Sequence, residues 1–239
     1  MVIAVDEDPA VFGVAARSTR CACGVVGRCE SLPLASASID LVVCNHALEH
    51  FSELDRSLEE INRVLKPRGK LFLSVPDGHG FCDHLYRWLF EGGGHVNRFR
   101  RSELAELIES RSGLALVKWQ RLYSSFGYFR GIPDLASEDH TDLQARLRWV
   151  GRLPRRFVDL MHIALYAGTR IVDRCVGTST SVYGWAMWFD RSGDVPVEMP
   201  GYINVCRFCG AGHPPDQSRR PFHNWICDSC RGQNRFWFK

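Results

Sequence analysis

Residues 39–78, IDLVVCNHALEHFSELDRSLEEINRVLKPRGKLFLSVPDG, read as strand, polar turn, amphipathic helix, Lys-Pro-Arg-Gly turn and second strand. Past Asp40 the first run is apolar until Asn45 and His46. Behind Ser52, an N-cap residue type with Asp55 three positions on, Leu54, Leu58, Ile61 and Leu65 recur at helical spacing, and Pro67 closes the helix. Residues 70–75 form the next buried strand. Two strands joined by one helix must lie parallel, and ligands in such sheets bind beyond the carboxyl ends of the strands. Those ends carry Asn45, His46, Glu49 and His50 after the first strand, and Pro76, Asp77 and His79 after the second.

The chain has 239 residues, 45% of them hydrophobic, enough for one substantial core and a small appended module. A net charge of +3 is too small to announce a nucleic-acid partner. No apolar run reaches the ~18 residues that span a bilayer, and Asp6, Glu7 and Asp8 arrive too early for a signal peptide, so a cytoplasmic protein is expected. Of the ten cysteines, four sit in two Cys-x-x-Cys pairs, Cys206/Cys209 and Cys227/Cys230, separated by 17 residues. Each pair is followed by glycine within two residues. This is zinc-ribbon spacing, and four thiolates closing a tetrahedron suit a structural Zn²⁺, with a rubredoxin-like iron site as the alternative.

Working outward, residues 2–5 form a short strand stopped by Asp6-Glu7-Asp8-Pro9, and an apolar-small stretch through Ala16 reads as a helix. Residues 21–26 form another strand, followed by Arg28-Cys29-Glu30-Ser31-Leu32-Pro33. Residues 79–90 and Gly92-Gly93-Gly94 read as a mobile connection to His95 and to a helix at about 102–110. Residues 115–122 and 182–189 read as strands. Between them lies a helical insertion at about 140–175, where Arg146, Arg148, Arg152, Arg155 and Arg156 crowd Trp149. The helix that follows shows Phe157, Leu160, Met161, Ala164, Ile171 and Val172 as one apolar stripe. It is expected to pack as a lid on the sheet, or to rest as a peripheral element on an anionic membrane surface.

An acidic turn before a strand, the Asn-His-x-Leu-Glu-His strand end and the run Arg-Val-Leu-Lys-Pro-x-Gly-x-Leu at residues 63–71 resemble the class I S-adenosylmethionine-dependent methyltransferases of the small-molecule type. The resemblance covers roughly residues 1–190. It implies an α/β fold, a doubly wound, mostly parallel, Rossmann-like sheet, with residues 115–122 and 182–189 as an antiparallel pair at its edge. The domains would be a methyltransferase-like unit at 1–198 and a zinc ribbon at 202–239. The resemblance also implies a cofactor, S-adenosylmethionine, with Asp6 on its ribose hydroxyls and Asn45, His46 and His50 lining its pocket. Where Arg28 stands the family usually has an acid beside the adenine amino group. An Arg cannot accept that hydrogen bond, so Glu30, Ser31 and Leu32, by side chain or backbone, would take that role. The family's first strand and Gly-x-Gly loop would precede Val2, and without them cofactor binding is expected to be weak.

Methyl transfer from a sulfonium requires the acceptor atom behind the methyl carbon and sometimes a base. His46, His50, His79 and His95 are the candidates for that base, with His84 nearby in sequence. His46-Ala-Leu-Glu49-His50 also spells the inverted zinc-peptidase motif, which needs both histidines inside one continuous helix. Here the motif lies between a strand and Ser52. A third reading is a non-catalytic module that uses the ribbon, with its six basic and two acidic residues, for protein or RNA contacts. The aromatic residues Trp88, Phe90, Tyr123, Phe126 and Tyr128 and the insertion favour a small or lipid-linked acceptor over nucleic acid.

Overall fold

A computed structural model of the chain describes residues 2–10, 12, 22–89, 94–124, 126, 153–191, 204–205, 212–213, 224–226, 231 and 233–235. The chain divides into two compact units, residues 1–35 with 195–239, and residues 36–194.

In the larger unit β3 (Ile39–Asn45) leads through a 3-10 turn (Leu48–His50) and α1 (Leu54–Val64) into β4 (Leu65–Pro76). α2 (Phe81–Leu89), α3 (Arg101–Ser112), β5 (Ala115–Tyr123), α4 (Arg155–Val176) and β6 (Val182–Asp190) follow. β3 and β4 are parallel, with Val42 beside Leu71 and Cys44 beside Leu73, as the connecting helix requires. β4 and β5 both pair antiparallel with β6, giving the order β3-β4-β6-β5. The antiparallel pair at the edge is as expected. The doubly wound, mostly parallel sheet is not: this sheet is mixed, because β6 returns between β4 and β5 against the direction of both.

The core forms on one face of that sheet. Cys44, Leu71, Leu73, Val75, Met187 and Phe189 meet Leu58 and Ile61 of α1 and Leu104, Ala105 and Ile108 of α3 in one buried cluster. Each fully buried Leu or Ile contributes roughly 1.5–3 kcal/mol by leaving water. The opposite face of β3 is open, with Leu41 and Val43 exposed.

Three helix expectations need correction. α1 begins at Leu54, and its N-cap is Glu53 without a side-chain cap bond, one residue later than a Ser52 cap would give. Residues 81–89, expected as part of a mobile connection, form α2, which buries Cys82, Asp83 and Leu89. The apolar stripe of α4 faces outward: Phe157, Leu160, Ile171 and Val172 are all exposed, while Val158, His162, Tyr166 and Thr169 on the other side are buried. Of the inward polar groups, Thr169 is satisfied within the helix itself. Its hydroxyl donates to the Leu165 carbonyl at 2.8 Å. The Arg170 guanidinium also sits 3.7 Å from the Tyr123 ring centroid, tying α4 to β5. Arg146, Arg148, Trp149 and Arg152 of the expected lid lie outside the described residues. No helix among the described residues is long and apolar enough to cross a membrane.

Asp173 fastens the end of α4 to β6. Its carboxylate accepts hydrogen bonds from the Thr178 hydroxyl at 2.8 Å, the Ser181 N–H at 2.8 Å, the Thr180 N–H and the Ser181 hydroxyl. Burial alone would raise its pKa, but the bonds from Ser181, Thr178 and Thr180 outweigh burial and hold it below the usual carboxylate value. A carboxyl depressed in the folded state contributes stability that is complete above its unfolded pKa and is lost as pH falls through its folded value. Urea midpoints should therefore drop below about pH 5, and Asp173→Asn should flatten part of that slope. A slope unchanged in the variant would contradict this role.

In the smaller unit β1 (Val2–Asp6) and β2 (Ala22–Val26) form a parallel pair, Asp6 beside Val26. Only Ala10 and Phe12 of the expected helix before Ala16 are described, both as helical. Further on, β7 (Asn204–Val205) pairs antiparallel with β8 (Gly212–His213), and β9 (Asn224–Ile226) with β10 (Gln233–Arg235). In sequence, Cys206 and Cys209 fall between the first two strands and Cys227 and Cys230 between the second two. The four cysteines lie outside the described residues.

Candidate active site

The seven residues expected around a cofactor divide between the two units. In the smaller one Asp6 is the last residue of β1, and its Oδ1 accepts the Asp8 N–H at 2.9 Å. The Gly27 N–H donates to the Asp6 carbonyl at 3.0 Å, starting the turn that contains Glu30, Ser31 and Leu32. Arg28 turns its guanidinium onto Glu30, and the Cys29 thiol donates to the same carboxylate at 3.3 Å. The backbone of Glu30 itself, then Arg28 and Cys29, hold the Glu30 carboxyl below its usual range. Glu30 is thus engaged by its own neighbours, whereas the Asp6 carboxylate spends one acceptor site of roughly four on Asp8.

In the larger unit the strand ends build a tighter cluster. Asn45 Oδ1 accepts the hydroxyl of buried Ser74 at 2.6 Å, which locks the end of β3 to β4. His46 follows in a left-handed conformation, φ 50°, and its ring lies 5.3 Å from that of Tyr183 at the start of β6. The turn Leu48–His50 then brings Glu49 beneath it. Glu49 is 1% exposed, with Oε1 3.6 Å from His46 Nδ1.

A second segment closes over this turn. The N–H groups of Val96 and Asn97 donate to the Glu49 carbonyl at 2.8 and 3.0 Å, and the Asn97 amide donates to the Leu48 and Phe51 carbonyls. His95, buried and stacked on Tyr86, is thereby fixed 5.0 Å from His50, ring centre to ring centre. Gly94 is required where it stands, with φ 73° and a Cβ position only 3.3 Å from His50 Nδ1.

Of the expected histidines the structure therefore gathers His46, His50 and His95. His79 is exposed and bonded through its N–H to Asp77, and His84, also exposed, contacts the Gly80 carbonyl through Nδ1 at 2.8 Å. Asp83, Gly94 and Tyr183 carry no sequence motif, yet they shape this cluster. Burial pushes the Tyr183 phenol up, so it remains a neutral donor. The zinc-peptidase arrangement is absent. Residues 48–50 form a 3-10 turn separate from α1, so His46 and His50 do not share an α-helical face.

Residues 1–73 match the family described as the methyltransferase domain. A solved structure from Bacillus halodurans assigned to the methyltransferases superposes with a TM-score of 0.51, at 17% identity, over 80% of this chain and 82% of its own. The fold is a mixed α/β, methyltransferase-like one. Among curated relatives, a malonyl-[acyl-carrier protein] O-methyltransferase of Methylococcus capsulatus is 41% identical over 149 residues, 54% of this chain and 54% of its own length. An uncharacterized methyltransferase of Schizosaccharomyces pombe is 38% identical over 157 residues, 64% of this chain and 58% of its own. The chain thus spans somewhat more than half the length of these relatives. Within the methyltransferase-type fold, the 1–73 match contains Asp6, Glu30, Asn45, His46, Glu49 and His50, whereas Asp83, His95 and Tyr183 lie beyond it.

Proposed function

We propose that the chain binds S-adenosylmethionine and supports methyl transfer to a small or lipid-linked acceptor, with a zinc-binding ribbon at its C-terminal end. The observation that carries the reading is a carboxylate, Asp6, at the carboxyl end of a strand in a parallel pair, with acceptor capacity beyond its bond to Asp8. A ribose diol offers two adjacent hydroxyl donors, and one carboxylate accepts both. The residues present fit the group at this end, although Glu30 is paired with Arg28 and adenine recognition falls to the backbone of residues 28–32.

The cofactor, when bound, supplies an electrophilic methyl on a sulfonium. In the smaller unit, Asp6 is the residue that would hold the ribose. His46 is the histidine best placed to hold a proton from the acceptor. Its ring is one-third exposed, its Nδ1 is buried on the Glu49 side, and Tyr183 braces it. The outward stripe of α4, Phe157, Leu160, Ile171 and Val172 beside exposed Arg156 and Arg174, supports an acceptor with an apolar chain.

The two short antiparallel pairs that bracket the Cys-x-x-Cys motifs support the ribbon, and the donor set of Cys206, Cys209, Cys227 and Cys230 suits Zn²⁺. The cofactor reading is tested by calorimetric titration of S-adenosylhomocysteine into Asp6→Ala and Glu7→Ala variants. Charge-assisted bonds are worth roughly 1.5–3 kcal/mol each, so Asp6→Ala should weaken binding about ten-fold or more. Glu7→Ala should change it little, since successive side chains at a strand end point in different directions. Equal affinities would reduce Asp6 to a surface acid.

A further inference from the structure

We infer that Glu49, His50 and His95 form a binding site for a divalent first-row transition-metal ion, with open positions for an oxygen donor. One ligand atom from each of the three residues lies within 4.8 Å of the other two. Ligation at about 2.1 Å per bond draws such atoms to roughly 3 Å apart, and exposed His50 is the side chain with room to move.

The outer contacts of both imidazoles are those of metal ligands. His95 Nδ1 meets Asp83 Oδ1 at 3.1 Å, and His50 Nδ1 meets the Gly94 carbonyl at 3.0 Å. In each case an acceptor fixes the proton on Nδ1 and leaves the Nε2 lone pair for the ion, the carboxylate–histidine–metal and carbonyl–histidine–metal patterns. The backbone bonds from Val96 and Asn97 to the Glu49 carbonyl hold His95 against the turn, so the ligand set is organised before any ion arrives.

Charge supplies an independent reason. Glu49 and Asp83 are both 1% exposed, and Glu49 Oε2 and Asp83 Oδ2 are buried without a hydrogen-bond partner. No Lys or Arg pairs with either among the described ion pairs, and His46 stands at 3.6 Å from Glu49, beyond hydrogen-bond distance. Buried carboxylates are stabilised by a nearby positive charge, and one divalent ion at this cluster would supply it. Two imidazoles and one carboxylate suit Zn²⁺, Fe²⁺ or Mn²⁺ better than Mg²⁺ or Ca²⁺, which prefer oxygen throughout. Three protein ligands leave coordination positions for a hydroxyl or carboxylate oxygen of an acceptor. That use of the ion rests on the methyl-transfer reading, whereas the binding of the ion does not.

Co²⁺ is the probe, because thiolate ligation adds an intense near-ultraviolet charge-transfer band that nitrogen and oxygen ligation lacks. The full chain should take up one equivalent that shows visible bands without thiolate charge transfer. His50→Ala, at an exposed position, should weaken this uptake ten-fold or more with an unchanged near-ultraviolet circular dichroism spectrum, and Glu49→Gln should weaken it as much. Asp83→Asn should weaken it ten- to a hundred-fold by loosening His95. Cys206→Ser should leave it intact. Uptake accompanied only by thiolate charge transfer, no uptake, or equal uptake by His50→Ala would overturn the site, and none of these outcomes depends on cofactor binding.

Discussion

Gly184→Ala is expected to be the most damaging single methyl in the larger unit. Gly184 lies opposite Pro76 in the β4/β6 pair, and a Cβ there would stand 2.0 Å from the Val75 carbonyl oxygen and 2.8 Å from Pro76 Cα. Those are backbone atoms of the central strand, so no rotamer change relieves the clash. Only separation of β4 from β6 does. Overpacking of a core costs typically 1–3 kcal/mol where side chains can shift, and a backbone obstacle belongs at or above about 3 kcal/mol. Gly184 also precedes Trp185 and follows Tyr183, whose carbonyl accepts the Asp77 N–H at 2.8 Å, so the damage reaches the site. Gly168→Ala is the matched control. Gly168 lies in the middle of α4 with nothing within 4 Å of its Cβ position, and alanine there should stabilise the helix by about 0.5–1 kcal/mol. Urea unfolding of both variants checks the pair. A Gly184→Ala protein as stable as the parent would mean that β4 and β6 are not paired at Gly184.

On the proposed ribbon reading, removal of zinc should produce the largest effect in the C-terminal module. Structural zinc in small cysteine-ligated modules supplies on the order of 10–16 kcal/mol of apparent binding free energy, more than strands of two or three residues can gain by packing. The protein is expected to carry about one tightly held zinc in a tetrathiolate site. Cys206→Ser or Cys227→Ser, or a strong chelator, should abolish that zinc and the protease resistance of residues 202–239. Residues 36–194 should keep their melting temperature, because their core is built from their own helices and sheet. A zinc-free protein with a protected C-terminal segment would remove the ribbon from the account.

The elements legible in the sequence were those whose periodicity and punctuation agreed. β3, α1 and β4 follow from an apolar run, a helical stripe and Pro67-Arg68-Gly69, and the parallel pairing follows from the connection. α2 was hidden because glycines flank it on both sides and its inward residues include Asp83. A buried acid looks like a loop residue until His95, twelve positions on, is seen to pair with it. On α4 the apolar stripe pointed the wrong way, since the buried side is carried by His162, Tyr166 and Thr169, polar groups whose partners are not encoded in spacing. The mixed sheet was half visible. Strands 115–122 and 182–189 could be assigned as an antiparallel pair, but insertion of β6 beside β4 is a long-range pairing that leaves no local pattern.

The candidate site divides the same way. Asp6, Asn45, His46 and His50 stand out as polar residues at the ends of apolar strands. The convergence of Glu49 with His95 depends on Gly94 and on the Asn97 amide reaching back to Leu48 and Phe51, contacts across more than forty residues of chain.

The central claim is that this chain holds S-adenosylmethionine, and ligand-observed NMR tests it most directly because it detects weak as well as tight binding. Saturation transferred from the protein should reach the ribose and adenine protons of S-adenosylhomocysteine, should be competed by S-adenosylmethionine, and should fall sharply in Asp6→Ala. No transfer to the nucleoside, or transfer equal in the parent and in Asp6→Ala, would contradict the account.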